Sequence, residues 1–245
     1  AGKVTFEQVV VVPPGARAPV TQIGSLELKS GITAVIGPSA AGKSTLVRAL
    51  LGIWPLAKGV VRLDGADLHR WDREHVGRFI GYLPQDIELF EGSVAENISR
   101  FGGVDSEAVI DAAKVAGVHD MILSLPQGYD TDLTTYQLSA GQRQRVALAR
   151  AVYGSPCLIV LDEPNSNLDE VGEASLATAL VRLKESGANV LIVSHRKSIL
   201  EVVDHIMVLA EGKVKMMGPR DNVLAKLSPK AANVTMMPAS TNNKQ

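Results

Sequence analysis

Gly37-Pro38-Ser39-Ala40-Ala41-Gly42-Lys43-Ser44-Thr45 fits G-x-x-x-x-G-K-[ST], a loop whose backbone N–H groups cradle phosphates. The motif carries meaning only between a strand and a helix, and both are legible around it. Ile32–Ile36 is short, apolar and β-branched, so it reads as a buried strand. Ser44 to Leu51 holds helix formers and stops at Gly52. Gly37 and Gly42 permit a tight turn and close approach of the backbone to an anion. The helix start adds partial positive charge at the same point. In this pattern Lys43 reaches the β- and γ-phosphates and the Ser44 hydroxyl holds Mg²⁺.

The chain of 245 residues is long enough for a large core. A hydrophobic share of 46% and a charged share of 21% are ordinary for globular domains. A net charge of −1 advertises neither nucleic acid nor an anionic membrane surface as partner, and it disfavours nucleic acid. The one cysteine, Cys157, excludes an intramolecular disulfide, fits a reducing compartment and sits in an apolar run as a small core residue. No apolar run reaches the length of a membrane-spanning helix, and no stretch reads as a signal peptide.

Strand patterns cover Val4–Val12, Ser25–Lys29, Lys58–Asp64 and Phe79–Leu83. A polar segment with Trp71 lies between the last two, and 85–97 carries mixed turn signals. Ser106 to Leu125 is read as helical, with Asp105 or Ser106 as N-cap, and a second helix runs from Ser139 to Tyr153. The segment from about 86 to 153 is therefore expected to form a helical lobe inserted between strands. Beyond it, apolar strands at Cys157–Leu161, Asn189–Ser194 and His205–Ala210 alternate with helices at Glu170–Glu185 and Lys197–Val202. That alternation predicts an α/β fold with a mostly parallel sheet. Lys213–Gly218 reads as an edge strand, Asp221–Leu227 as a short helix and 228–245 as a disordered tail.

Leu158 to Leu161 is an apolar strand that ends in Asp162-Glu163-Pro164. Strand C-termini are where open α/β sheets bind ligands. Asp162 suits Mg²⁺, and Glu163 suits polarisation of an attacking water. Read alone, the pair could equally cap a turn. Leu138-Ser139-Ala140-Gly141-Gln142 opens a helix with Arg143 and Arg145 in its first turn, where cations oppose the macrodipole. Alone, this reads more readily as a capped helix with a solvated basic face than as an anion site.

Together these residues resemble the ATPase domain of ABC transporters, over about Val4 to Leu227. Leu138–Ala151, LSAGQRQRVALARA, looks like the family's signature motif and its basic helix, which other phosphate-loop proteins lack. Gln85, after Tyr82-Leu83-Pro84, matches the Q-loop glutamine; Ser166-Asn167-Leu168-Asp169 matches the D-loop; His195 matches the switch histidine. The resemblance implies a RecA-like P-loop NTPase core with an antiparallel β part and a helical lobe. It implies two copies packed head to tail. ATP then lies between the loop of one copy (Gly37, Pro38, Ser39, Ala40, Ala41, Gly42, Lys43, Ser44, Thr45) and Ser139, Ala140, Gly141 and Gln142 of the other, with Asp169 nearby. Ser44, Gln85 and Asp162 are implied as Mg²⁺ contacts, Glu163 as general base, and His195 as the γ-phosphate contact.

Within the family, the phrases Val12–Arg17, Leu161–Asp169 and Gly218–Asp221 are similar to type I secretion exporters of the protease/lipase kind. Such exporters imply Mg²⁺-dependent ATP hydrolysis driving protein secretion at the cytoplasmic face of the bacterial inner membrane. They imply a fused or associated transmembrane domain, with membrane-fusion and outer-membrane components as further partners. The start at Ala1 without Met is read as the mark of a processed chain or of a domain cut from a longer one, and the lack of a fused transmembrane domain as that of an excised domain. An importer's ATPase subunit is the alternative. The segment between Lys43 and Leu138 is too short for the coiled coil of DNA-repair relatives, and translation-type relatives carry two modules. Glu163 and His195 argue against a degenerate regulatory half. Three features depart from the family. Val10–Pro14 lacks the aromatic that stacks on adenine, Ala140 replaces a glycine, and Thr131–Gln137 lacks the Gly/Glu-rich segment that helps couple to the membrane domain.

Overall fold

The computed structural model describes residues 2–227, the side chains of 73 and 74 aside. The expected tail, 228–245, lies outside the described residues. The central sheet contains β4 (Ile32–Ile36), β7 (Ile80–Leu83), β8 (Leu158–Asp162), β9 (Asn189–Val193), β10 (His205–Ala210) and β11 (Lys213–Pro219). Their spatial order is β11-β10-β4-β9-β8-β7. All neighbours are parallel except β11, which pairs antiparallel with β10 at the edge. Every residue of β8 and β9 is buried. A strand covered on both faces has no use for polar alternation, which is why these runs read as continuous apolar stretches.

Side-chain alternation along β8 divides the interior. Leu158 and Val160 face one core with Leu46, Leu50 and Phe6, while Ile159 and Leu161 face the other with Ile122, Val146 and Leu180. The first core lies under α1 (Lys43–Leu50) and a second, antiparallel sheet. That sheet is built on β1 (Val4–Val11), flanked by β2 (Thr21–Ile23) and by β5 (Lys58–Leu63), with β3 (Leu26–Glu27) on β1 and β6 (Ala66–Asp67) on β5. The β1–β5 register shifts between Glu7 and Val10, where Gln8 takes φ 51°. Such a bulge sharpens the local twist and bends the strand.

The lobe between β7 and β8 is helical: α3 (Val94–Ile98), α4 (Ser106–Val115), α5 (His119–Leu123) and α6 (Ala140–Val152). Downstream come α7 (Glu170–Glu185), α8 (Lys197–Leu200) and α9 (Arg220–Leu227). Three local readings are corrected. The helix read over Ser106–Leu125 is two helices. Gly117 takes φ +67°, Val118 N–H donates to Ala113 O at 2.8 Å and Gly117 N–H to Lys114 O at 3.1 Å. This pair of bonds closes a helix with a left-handed glycine and turns the chain. The turn-like segment 85–97 contains the start of α3. Ser93 and Glu96 form a capping box there, a pattern present in the sequence as S-x-x-E. The polar segment around Trp71 includes α2 (Arg73–Phe79).

Candidate functional site

Four adjacent strands, β4, β9, β8 and β7, deliver one motif each at their C-terminal ends. β4 leads into the 37–45 loop, β9 into Ser194-His195, β8 into Glu163, and β7 into Pro84-Gln85. Parallel strands lie about 4.8 Å apart, so four motifs distant in sequence become neighbours along one sheet edge.

The loop itself is tightly constrained. A Cβ on Gly37 would stand 2.0 Å from the Leu209 carbonyl oxygen of β10, and one on Gly42 would stand 2.6 Å from Thr21 Oγ1. Gly42 (φ 94°) and Ala40 (φ 61°) are both left-handed, which turns the loop around its own centre. Lys43 Nζ donates to the Gly37 and Pro38 carbonyls, each at 2.9 Å, so the ammonium is held across the loop. α1 follows Gly42 as N-cap, without a side-chain cap and without an acidic residue in its first turn. Its N-terminal N–H groups therefore remain available to an anion. Thr21, on the other sheet, donates through its hydroxyl to Gly42 O at 3.3 Å. Val20, Ser39–Thr45 and Glu163 line one open cleft.

Asp162 is 5% exposed, and its Oδ1 has no hydrogen-bond partner among the described residues. Burial first, and then the neighbouring Glu163 charge, push its carboxyl above the usual carboxylate range; Arg48, the Ser44 hydroxyl and Lys43 act in the opposite direction. A desolvated carboxylate oxygen without a donor, beside a serine hydroxyl, is an all-oxygen donor set. That chemistry fits Mg²⁺, which takes one or two carboxylates and otherwise uses water and phosphate oxygens. Gln85 Nε2 donates to Glu163 Oε2 at 3.4 Å, joining β7 to β8 across the site. Glu163 takes φ 50°, and its N–H continues the ladder to Val193 O at 2.9 Å.

Ser139, Ala140, Gly141, Gln142 and Asp169 are not among the residues lining that cleft. They belong to a second constellation. Ser139 and Gln142 cap α6 reciprocally: Gln142 N–H donates to Ser139 Oγ at 3.2 Å, and Ser139 N–H to Gln142 Oε1 at 2.9 Å. Ala140 lies inside the helix, where no left-handed backbone is required of it. A Cβ on Gly141 would lie 3.4 Å from Asn167 O, so α6 and the 166–169 loop are in close contact. Asp169 caps α7 by accepting from Gly172 N–H at 2.8 Å. Gln144, 2% exposed, spans the junction. Its amide donates to Pro164 O, and its carbonyl accepts from Asn167 N–H at 3.1 Å. Sequence reading did not single out Gln144 or Thr21, because neither contact has a local signal.

The ABC transporter family model matches residues 23–166, more than half of the chain. The chain belongs to the ABC transporter family. It is 50% identical over 229 residues to the "Type I secretion system ATP-binding protein PrsD" of Rhizobium meliloti (strain 1021), covering 92% of this chain and 39% of that protein. It is 35% identical over 230 residues to "ATP-binding cassette sub-family B member 6" of Rattus norvegicus, covering 92% of this chain and 27% of that one. Among solved structures, a bacterial Atm1-family ABC exporter with ATP bound superposes with a TM-score of 0.81 at 32% identity, over 92% of this chain and 40% of that chain. This ABC domain thus spans less than half the length of these relatives. No helix among its described residues is long and apolar enough to cross a membrane. The expected α/β fold with a parallel core, an antiparallel part and a helical lobe is the ABC exporter nucleotide-binding fold.

Proposed function

We propose that residues 1–227 are the ATP-binding and hydrolysing motor domain of an ABC exporter that powers protein secretion. The observation that carries this reading is the convergence of the 37–45 loop, Ser44, Asp162, Glu163 and Gln85 on one sheet edge, with the signature residues held elsewhere. One copy therefore presents half of a site on each of two surfaces. A head-to-tail pair joins the loop of each copy to Ser139–Gln142 and Asp169 of the other. The loop N–H groups, Lys43 and the α1 terminus bind the phosphates. Ser44, Asp162 and Gln85 hold Mg²⁺, which offsets the charge on the phosphate oxygens. Glu163 accepts the proton of the attacking water, and His195 donates toward the γ-phosphate. Positioning and charge stabilisation supply most of the rate.

The 50% identity to a secretion ATP-binding protein supports the exporter reading. It supports a transmembrane partner, fused or associated, with membrane-fusion and outer-membrane components, at the cytoplasmic face of a bacterial inner membrane. Glu163→Gln tests the site. Hydrolysis is expected to fall at least about a hundredfold, while Mg-ATP converts monomer to dimer in size exclusion. Retained hydrolysis removes Glu163 as base. A monomer at every ATP concentration removes the unaided head-to-tail pair.

A further inference from the structure

His195 is exposed, and among the described residues no hydrogen bond or ion pair reaches its ring. Its placement is therefore set through its backbone neighbours, and these are held from both sides. Ser194, 3% exposed, donates its hydroxyl to Asn165 Oδ1 at 3.0 Å, and Asn165 is itself 4% exposed. The same hydroxyl accepts from Arg196 N–H at 3.2 Å, closing a small turn around His195. On the far side, Glu173 in the first turn of α7 takes the Arg196 guanidinium at 3.6 Å and the Ser198 hydroxyl at 3.0 Å.

Asn165 and Glu173 both belong to the segment that leaves the catalytic strand β8: Asn165 follows Glu163 by two residues, and Glu173 N–H is bonded to Asp169 O at 2.8 Å. We infer that Asn165 and Glu173 are positioning residues that clamp the 194–198 turn and so aim His195 at the nucleotide. Buried polar contacts of this kind fix one geometry, because breaking them leaves desolvated groups without partners. A buried hydroxyl placed between an amide oxygen and an N–H has little freedom. The Arg196–Glu173 pair, open to solvent on the Arg196 side, contributes little by itself and works together with the Ser198 bond. The consequence is that movement of the 163–169 loop is transmitted to His195 within one chain. This inference rests on the reading of His195 as the γ-phosphate contact.

The test uses Ser194→Ala, Asn165→Ala and Glu173→Ala, each alone and combined with His195→Ala, with amide hydrogen exchange of 194–198 measured alongside ATPase kinetics. Each single variant is expected to lower kcat about tenfold with KM for ATP changed less than about twofold, because the misplacement acts on the transition state rather than on binding. In the His195→Ala background the same changes should lower kcat less than about twofold further, since the group they aim is gone. Exchange at 194–198 should rise. Unchanged kcat, full additivity with His195→Ala or unchanged exchange overturns the clamp. If His195→Ala leaves no measurable turnover, the exchange result decides. A wild-type chain that binds but never hydrolyses ATP would instead overturn the motor reading, with the clamp still read by exchange.

Discussion

Asp162 shows how a single residue can be unfavourable for the apo fold and useful for the site. Its carboxylate is desolvated, Glu163 adds like charge, and Oδ1 has no donor. Both effects favour the protonated form, so its folded pKa lies above its unfolded one. The linkage has a definite sign. Relative to the unfolded chain, Asp162 favours the fold while protonated, and that benefit is lost as pH rises through the raised folded pKa. Once ionised, the desolvated carboxylate, with Glu163 beside it and Oδ1 without a donor among the described residues, is then a cost that the Ser44 hydroxyl only partly offsets. Asp162→Asn is expected to raise the apo melting temperature at about pH 7, with the gain shrinking as pH falls through the raised folded pKa and gone below the unfolded value of about 3.9. The same variant should lose the stabilisation that Mg-ATP adds to the native chain. Calorimetry at neutral pH and below the unfolded pKa reads both, and a lower melting temperature at neutral pH would show that the carboxylate is already satisfied.

At the scale of elements, α6 is held to the 163–169 loop by a side chain with no exposed surface to speak of. Gln144 uses one end of its amide on Pro164 and the other on Asn167. Its replacement by Ala orphans the buried Pro164 carbonyl, at about 1–3 kcal/mol, and the part-buried Asn167 N–H, at about 1 kcal/mol or less, so a total of roughly 1–4 kcal/mol is expected in urea unfolding. A loss below about 0.5 kcal/mol would mean that water replaces the amide at both ends. Periodicity and turn chemistry made α6 and α7 legible in the sequence to within a residue or two. The break at Gly117 was not, because a glycine in a helical pattern is equally compatible with continuation; Ser175 of α7 lies 2.6 Å from where its Cβ would stand. The short strands β2 and β6 were also unread. Both exist by pairing with β1 and β5, and two or three residues carry no period of their own.

For the whole molecule, the arrangement of two sheets around α1 opens the cleft at the 37–45 loop beside Val20 and the chain that leaves β1. That chain, Val12 to Val20, contains no aromatic residue. Base–aromatic stacking contributes about 1–3 kcal/mol and differs modestly in strength between bases, so without an aromatic here both that affinity and that modest preference are missing. The purified chain is expected to hydrolyse ATP, GTP and CTP at similar rates. A strong preference for ATP in steady-state assays would require an adenine platform from elsewhere, including the second copy.

The sequence alone determined the glycine-bounded loop of 37–45 between strand and helix, the acidic strand end, the helix that opens at Ser139 and the parallel core. Each is local: a fixed spacing of glycines, a buried run ending in carboxylates, an apolar period. It also carried the assignment to a family, because several such local patterns occur in one order. Only the tertiary structure decided which of them meet. Gln85 reaches Glu163 because β7 and β8 are neighbours, and Thr21 reaches Gly42 because the antiparallel sheet packs over α1. Asn165 and Glu173 bracket His195 because α7 folds back against the end of β9. Hydrogen bonds between residues far apart in the chain depend on sheet order and helix packing, and no local spacing encodes them.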